Sequence, residues 1–133
     1  MYSVVKFRRK NGACPYDKYL QEIDPRFDSN RPAQPSHRPT RQQREIARLA
    51  QAFQLMGQEG IQGLPPGWVE KMNDVWQLRR GRHRVFFFAD DERRCYVLLN
   101  GFRKESRRTP AQHLDLAESL RKEYFSEHLW GKR

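Results

Sequence analysis

A chain of 133 residues with 26 lysines and arginines against 16 aspartates and glutamates, net +10, is long enough to bury one core without metal or disulfide staples and is drawn to polyanions. Its longest uninterrupted apolar runs, Val85 to Ala89 and Cys95 to Leu99, are far too short to cross a bilayer. The opening MYSVVKFRRKNG carries charges where a signal peptide has its apolar core, so a cytosolic protein without a membrane partner is expected.

Tyr2 to Phe7 (YSVVKF) predicts a short strand, Asn11-Gly12 a turn, and Pro15 the first position of a helix over 15–23. Cys14 and Cys95 are far apart, with no CxxC and no paired histidines, so both are expected to be ordinary buried thiols. Residues 24–39, DPRFDSNRPAQPSHRP, hold four of the eight prolines and no apolar period. They read as a surface loop insert whose Arg26, Arg31 and Arg38 are available to RNA or to an acidic partner segment. What precedes this loop is too short to fold alone, so one domain over 1–133 is expected.

Thr40 with Gln43 forms a capping box, and Ile46, Leu49, Ala50, Phe53, Leu55 and Met56 follow on a helical stripe ending at about Met56 or Gly57. EGIQGLPPGW reads as loop. Met72 to Arg79 alternates as a strand, Arg80-Gly81 is the expected hairpin tip, and strands over Arg82 to Phe88 and Cys95 to Gly101 complete a meander. Thr109-Pro110 with Gln112 is a second capping box, opening a helix with Leu114, Ala117, Leu120 and Tyr124 on one face, and 126–133 reads as a C-terminal tail. The expected fold is α+β: an antiparallel-rich sheet of about four strands, two helices on one face and a C-terminal helix.

The chemistry concentrates between Arg79 and Arg108, where ten cations meet four carboxylates, a net +6 within 30 residues. Guanidinium stays charged and offers planar forked donors to phosphate oxygens, so nucleic acid is the expected ligand. A two-residue tip at Arg80-Gly81 would set Arg79 opposite Arg82 and Gln77 opposite Arg84, projecting all four from one face. The competing reading is a solvated basic turn. Phe86, Phe87 and Phe88 are expected to be core on both faces of a central strand rather than a base-stacking platform. Trp68 and Trp130 are better candidates for stacking or partner contact. His83 points away from Arg84 on a regular strand, and His37, His83, His113 and His128 are expected to be structural or exposed.

The element order, with WQLR, RHRVFFF and VLLNGFRKESRRTP, resembles the phage-derived HigB-like toxins of the RelE superfamily, from YSVVKF and GACPYDKYL through LMGQEG to ESLRKEY. Members typically read W-E-L-R, R-V-(L/F)-(Y/F)-F and L-L-H-G-F-x-K-K-(T/S)-x-(K/R)-T-P. Here Gln77 replaces the acid, Asn100 the histidine and Glu105 the second lysine, while Arg79, Arg84, Phe102, Lys104, Thr109 and Pro110 stay on pattern. The 24–39 loop is longer than the connection usual in such toxins. The resemblance implies the toxin of a type II toxin–antitoxin system: a RelE-like endoribonuclease (mRNA interferase) acting on ribosomal mRNA without cofactor or metal, and neutralised by a helix-turn-helix antitoxin. Toxins of the same superfamily act instead on DNA gyrase, and a non-catalytic nucleic-acid-binding regulatory module would need the arginines alone.

RNA cleavage without metal requires a group to take the 2′-OH proton, cations for the dianionic phosphorane and a donor for the leaving 5′-oxygen. Arg79 and Arg84 are the expected transition-state stabilisers and Lys104 a point charge on phosphate. Tyr124 is an acid or base if arginines depress its pKa, with core packing as its alternative. Arg80, Arg82, Arg103, Arg107 and Arg108 are expected to bind RNA phosphates.

Overall fold

Strand β1 (Ser3–Lys6) leads into helices α1 (Pro15–Ile23) and α2 (Arg41–Glu59), then β2 (Val69–Met72), β3 (Val75–Arg80), β4 (His83–Asp90), β5 (Cys95–Arg103) and α3 (Ala111–Gly131). This computed structural model describes residues 1–30, 38–108 and 110–131. The fold is α+β, and its strands form one mixed sheet in the order β1-β5-β4-β3-β2, with β1 parallel to β5 and the rest an antiparallel meander. There are five strands rather than four because the Met72 to Arg79 run belongs to a hairpin. It turns at Asn73-Asp74, where Asn73 takes φ 56, a left-handed conformation that asparagine tolerates.

The helix starts follow local chemistry. Pro15 opens α1, and at α2 the Thr40 hydroxyl accepts from the Gln43 N–H (3.1 Å) while the Gln43 side-chain Oε1 accepts from the Thr40 N–H (2.9 Å). Helix α2 passes the expected end at Gly57 and stops at Gly60, whose φ of 81 suits a terminating glycine. Gly57 serves packing instead, since a Cβ there would meet the Tyr2 carbonyl at 3.0 Å. Helix α3 likewise continues through the expected tail to Gly131. The Thr109 capping box lies outside the described residues.

Helices α1 and α2 pack Tyr16, Leu20, Leu49, Phe53 and Met56 on one face of the sheet, against Leu78, Val85, Phe87 and Leu98. Helix α3 covers the other face with Ala117, Leu120 and Tyr124, against Phe86, Phe88, Val97 and Leu99. The three consecutive phenylalanines are thus split between two core layers, all at most 2% exposed. Both cysteines are buried and free, and burial pushes their thiols up. Part of the expected insert is structure: Phe27 packs against the α1–α2 core and lies beneath the Lys6 ammonium. Residues 31–37, including Arg31 and His37, lie outside the described residues. Among the described residues no helix is long and apolar enough to cross a membrane.

Candidate functional site

The β3–β4 pairing sets Arg79 opposite Arg84, Arg80 opposite His83 and Gln77 opposite Phe86, so Gly81-Arg82 forms the tip. This corrects the expected Arg80-Gly81 tip by one residue. The cause is Gly81, whose φ of 57 supplies the positive dihedral at the first central position of a type II′ turn, leaving Arg80 in ordinary strand geometry. A one-residue slip exchanges faces. Arg79 and Arg84 stay together on the α3 side, Arg80 and His83 face the α1–α2 side, and Arg82 leaves the sheet face for the apex.

On the α3 side an open cavity of about 430 Å³ is lined by Gly81, Arg82, Arg84, Lys104, Glu105, Ser106 and Arg107. Lys104 is held there because its backbone N–H donates to the Arg82 carbonyl at 2.7 Å. Arg84 Nη1 donates to the carbonyls of Gly81 (2.7 Å) and His83 (3.0 Å), which fixes the guanidinium plane. Burial, then repulsion from Arg79, lowers the Arg84 pKa. Arg79 is neutralised by an ion pair with Glu70. Among the described residues no carboxylate lies within ion-pair distance of Arg82, Arg84, Lys104 or Arg107.

On the α1–α2 side the Arg80 guanidinium stacks on Trp68, 3.9 Å from the ring centroid. A smaller cavity of about 140 Å³ is lined by Glu45, Arg48, Arg80, Gly81, Arg82 and His83. His83, given no role by the sequence, is 5% exposed and carries a partner on each nitrogen. Its Nδ1 lies 2.5 Å from the Tyr19 hydroxyl and its Nε2 lies 3.4 Å from Glu45 Oε1. Burial lowers the His83 pKa, outweighing the opposing pull of Glu45. Only the fold reveals this chain of three groups, since Tyr19, Glu45 and His83 come from α1, α2 and β4.

Tyr124 is not part of either cavity. Its hydroxyl donates to Asp90 Oδ2 at 2.6 Å, at the end of β4 opposite Arg84 and roughly 20 Å away at about 3.3 Å per residue. Burial and then Asp90 raise its pKa, so the expected arginine-depressed phenol is corrected to a core hydroxyl that holds its proton. Arg103 lines a different and larger cavity of about 850 Å³ between α1, α3 and β5. Its other cations, Arg8, Arg9 and Lys18, are matched by Asp17, Glu22, Asp28 and Glu105, so this cavity has no cationic excess. Asn100, where the toxins that the sequence resembles carry histidine, is buried in its wall with Nδ2 donating to the His113 carbonyl at 3.1 Å. Arg108 is exposed in the turn after Lys104, where its carbonyl accepts from Ser106, and it does not line the cation cavity. The side chain of Trp130 lies outside what is described.

Residues 38–122 match the family described as Phage derived protein Gp49-like (DUF891). No curated protein matches the chain. Among solved structures, the chain is similar to one in the crystal structure of the toxin–antitoxin complex RelBE2 from Mycobacterium tuberculosis, with 17% identity and a TM-score of 0.45 over 77% of this chain and 98% of that one. The family match takes in most of the sequence, including the β3–β4 hairpin and every residue lining the two cavities at its tip, so the chain belongs to the phage-derived Gp49-like family.

Proposed function

We propose that this chain is the toxin of a type II toxin–antitoxin pair, a cytoplasmic endoribonuclease that cuts mRNA on the ribosome and is held inactive by a helix-turn-helix antitoxin. The observation that carries this reading is the convergence of Arg82, Arg84, Lys104 and Arg107 on one open cavity at a hairpin tip, without a carboxylate in ion-pair reach among the described residues. Such a cluster is suited to a phosphodiester and to the extra negative charge of its pentacoordinate transition state. Arginine and lysine supply that charge themselves, so the reading invokes no metal or organic cofactor. Arg79, Arg80 and Arg103 act as outlying contacts to the RNA backbone.

Induced expression followed by mapping of transcript ends tests the proposal. Growth arrest with new 5′ ends inside coding regions is the expected result. Intact transcripts accompanied by gyrase-linked DNA breaks would assign the chain to gyrase inhibition, and neither effect would leave a binding module.

A further inference from the structure

The two cavities at the hairpin tip share Gly81 and Arg82, so a strand of RNA lying over the apex reaches both. They differ in chemistry. The α3 side brings Arg82, Arg84, Lys104 and Arg107 together with Glu105, which pairs with none of them, whereas the α1–α2 side sets Glu45 among Arg48, Arg80 and Arg82 and backs it with the buried His83. At about 140 Å³ the second cavity is below the roughly 300–1,000 Å³ of a site for a whole small molecule, and it suits the ribose hydroxyl beside a phosphate held at the apex by Arg82, which lines both cavities.

We propose that Glu45 is the general base of this chain, taking the proton of the attacking 2′-hydroxyl while the arginines at the hairpin tip hold the phosphate, and that His83 and Tyr19 position it. This rests on the endoribonuclease reading above and deepens it. Accessibility decides which member of the chain meets substrate. The Glu45 side chain is 21% exposed, that of His83 is 6%, and Tyr19 is buried behind them. The hydrogen-bond roles are consistent in one arrangement. Tyr19 keeps its proton, because burial raises its pKa, and its hydroxyl donates a hydrogen bond to His83 Nδ1. The neutral ring then carries its hydrogen on Nε2, on the side of Glu45 Oε1 3.4 Å away, leaving the other carboxylate oxygen for substrate. In the step, the 2′-oxygen forms a bond to phosphorus, its proton passes to Glu45, and the P–O5′ bond breaks. The departing 5′-oxygen takes a proton from water, giving a 2′,3′-cyclic phosphate and a 5′-hydroxyl.

The test is Glu45→Gln, with a defined mRNA as substrate, free and in a translating extract, and with anisotropy binding to the same sequence carrying 2′-deoxyribose at the cut. A fall in cleavage rate of about 100-fold or more at unchanged affinity is expected, within the usual contribution of a positioned base. His83→Leu, assayed well below its melting temperature, should lower the rate, and His83→Gln, which can still donate to Glu45, should restore much of it. A Glu45→Gln rate within threefold of the wild type overturns the assignment and leaves the endoribonuclease reading standing. A wild-type protein that cuts neither substrate overturns both.

Discussion

Arg79 and Arg84 face each other directly across the β3–β4 hairpin, yet only Arg79 is ion-paired, to Glu70. Arg84 donates from Nη1 to the carbonyls of Gly81 and His83, and its buried Nε has no partner. The pair therefore divides its work. Glu70 anchors one guanidinium to β2, and the other remains a net positive charge at the mouth of the cation cavity.

That asymmetry predicts unequal losses. Removing a donor aimed at developing negative charge costs about 2–4 kcal/mol of barrier, roughly 30- to 900-fold in rate, and Arg84→Ala should show it in RNA cleavage or growth arrest. Arg79→Ala should cost less, because its charge is already offset by Glu70. Arg84→Lys should recover little, since an ammonium lacks the fork. Equal, small losses at both positions would place the phosphate elsewhere on the fold.

Gly81→Ala should strain the tip without any steric clash. No atom lies within 4 Å of a Cβ built there, so the cost is the left-handed backbone alone, about 1–2 kcal/mol. Chemical denaturation measures it. A variant as stable as wild type would mean that the Gly81-Arg82 turn, and with it the Arg79–Arg84 register, is wrong.

Several elements are legible in the sequence because their signals are local. Pro15 and the Thr40–Gln43 box mark helix starts without reference to the rest of the chain, and Phe86-Phe87-Phe88 can only alternate between two buried faces. The hairpin parity turns on one dihedral, at Gly81, and misplacing it by one residue moves Arg82 from the sheet face to the apex. The parallel pairing of β1 with β5 and the meeting of Tyr19, Glu45 and His83 have no local signature, because each joins segments far apart in sequence. Glu45 in particular reads as one polar residue on an amphipathic helix. Tyr124 carries the opposite lesson: its helical position made it core, and the fold supplies the carboxylate that fixes its hydroxyl.

The Tyr124–Asp90 contact predicts an acid-sensitive term in stability. Burial pushes the Asp90 carboxyl up, but hydrogen bonds from Tyr124 and Arg93 outweigh it and leave the pKa below its ordinary value of 3.8. A carboxylate depressed in the folded state contributes stability that is fully present above the unfolded value, about pH 4, and is lost as pH falls through the folded one. Tyr124→Phe should cost about 1.5–3 kcal/mol at neutral pH and flatten the melting-temperature profile below about pH 4. An unchanged acid limb would show that Arg93 alone holds the charge.

His83 acts in a different window. Its pKa is lowered in the folded protein, by burial first, so between the folded value and the ordinary 6.5 the unfolded chain binds the extra proton. Stability from keeping the ring neutral is therefore complete above 6.5 and declines as pH falls below it. The difference in melting temperature between wild type and His83→Gln should shrink or reverse from pH 8 to pH 5.5. A constant difference would mean that His83 titrates alike in both states.

Gly101→Ala should propagate from β5 into the Tyr19–His83–Glu45 chain. A Cβ at Gly101 would lie 2.5 Å from Tyr19 Cδ2 and 3.1 Å from the Arg84 carbonyl, so either the ring or the strand must move. The ring is more free to shift, because the Arg84 carbonyl belongs to the central strand β4. Displacing Tyr19, 3% exposed, takes its hydroxyl from His83 Nδ1 and leaves a buried acceptor unpaired. Overpacking of this kind costs about 1–3 kcal/mol, which chemical denaturation will register. Tyr19→Leu removes the ring that the methyl strikes, so the double variant should be less destabilised than the sum of the two single changes. Additive losses would show that the methyl is absorbed by the strand, and that the close approach of β5 to Tyr19 is not what holds the ring against His83.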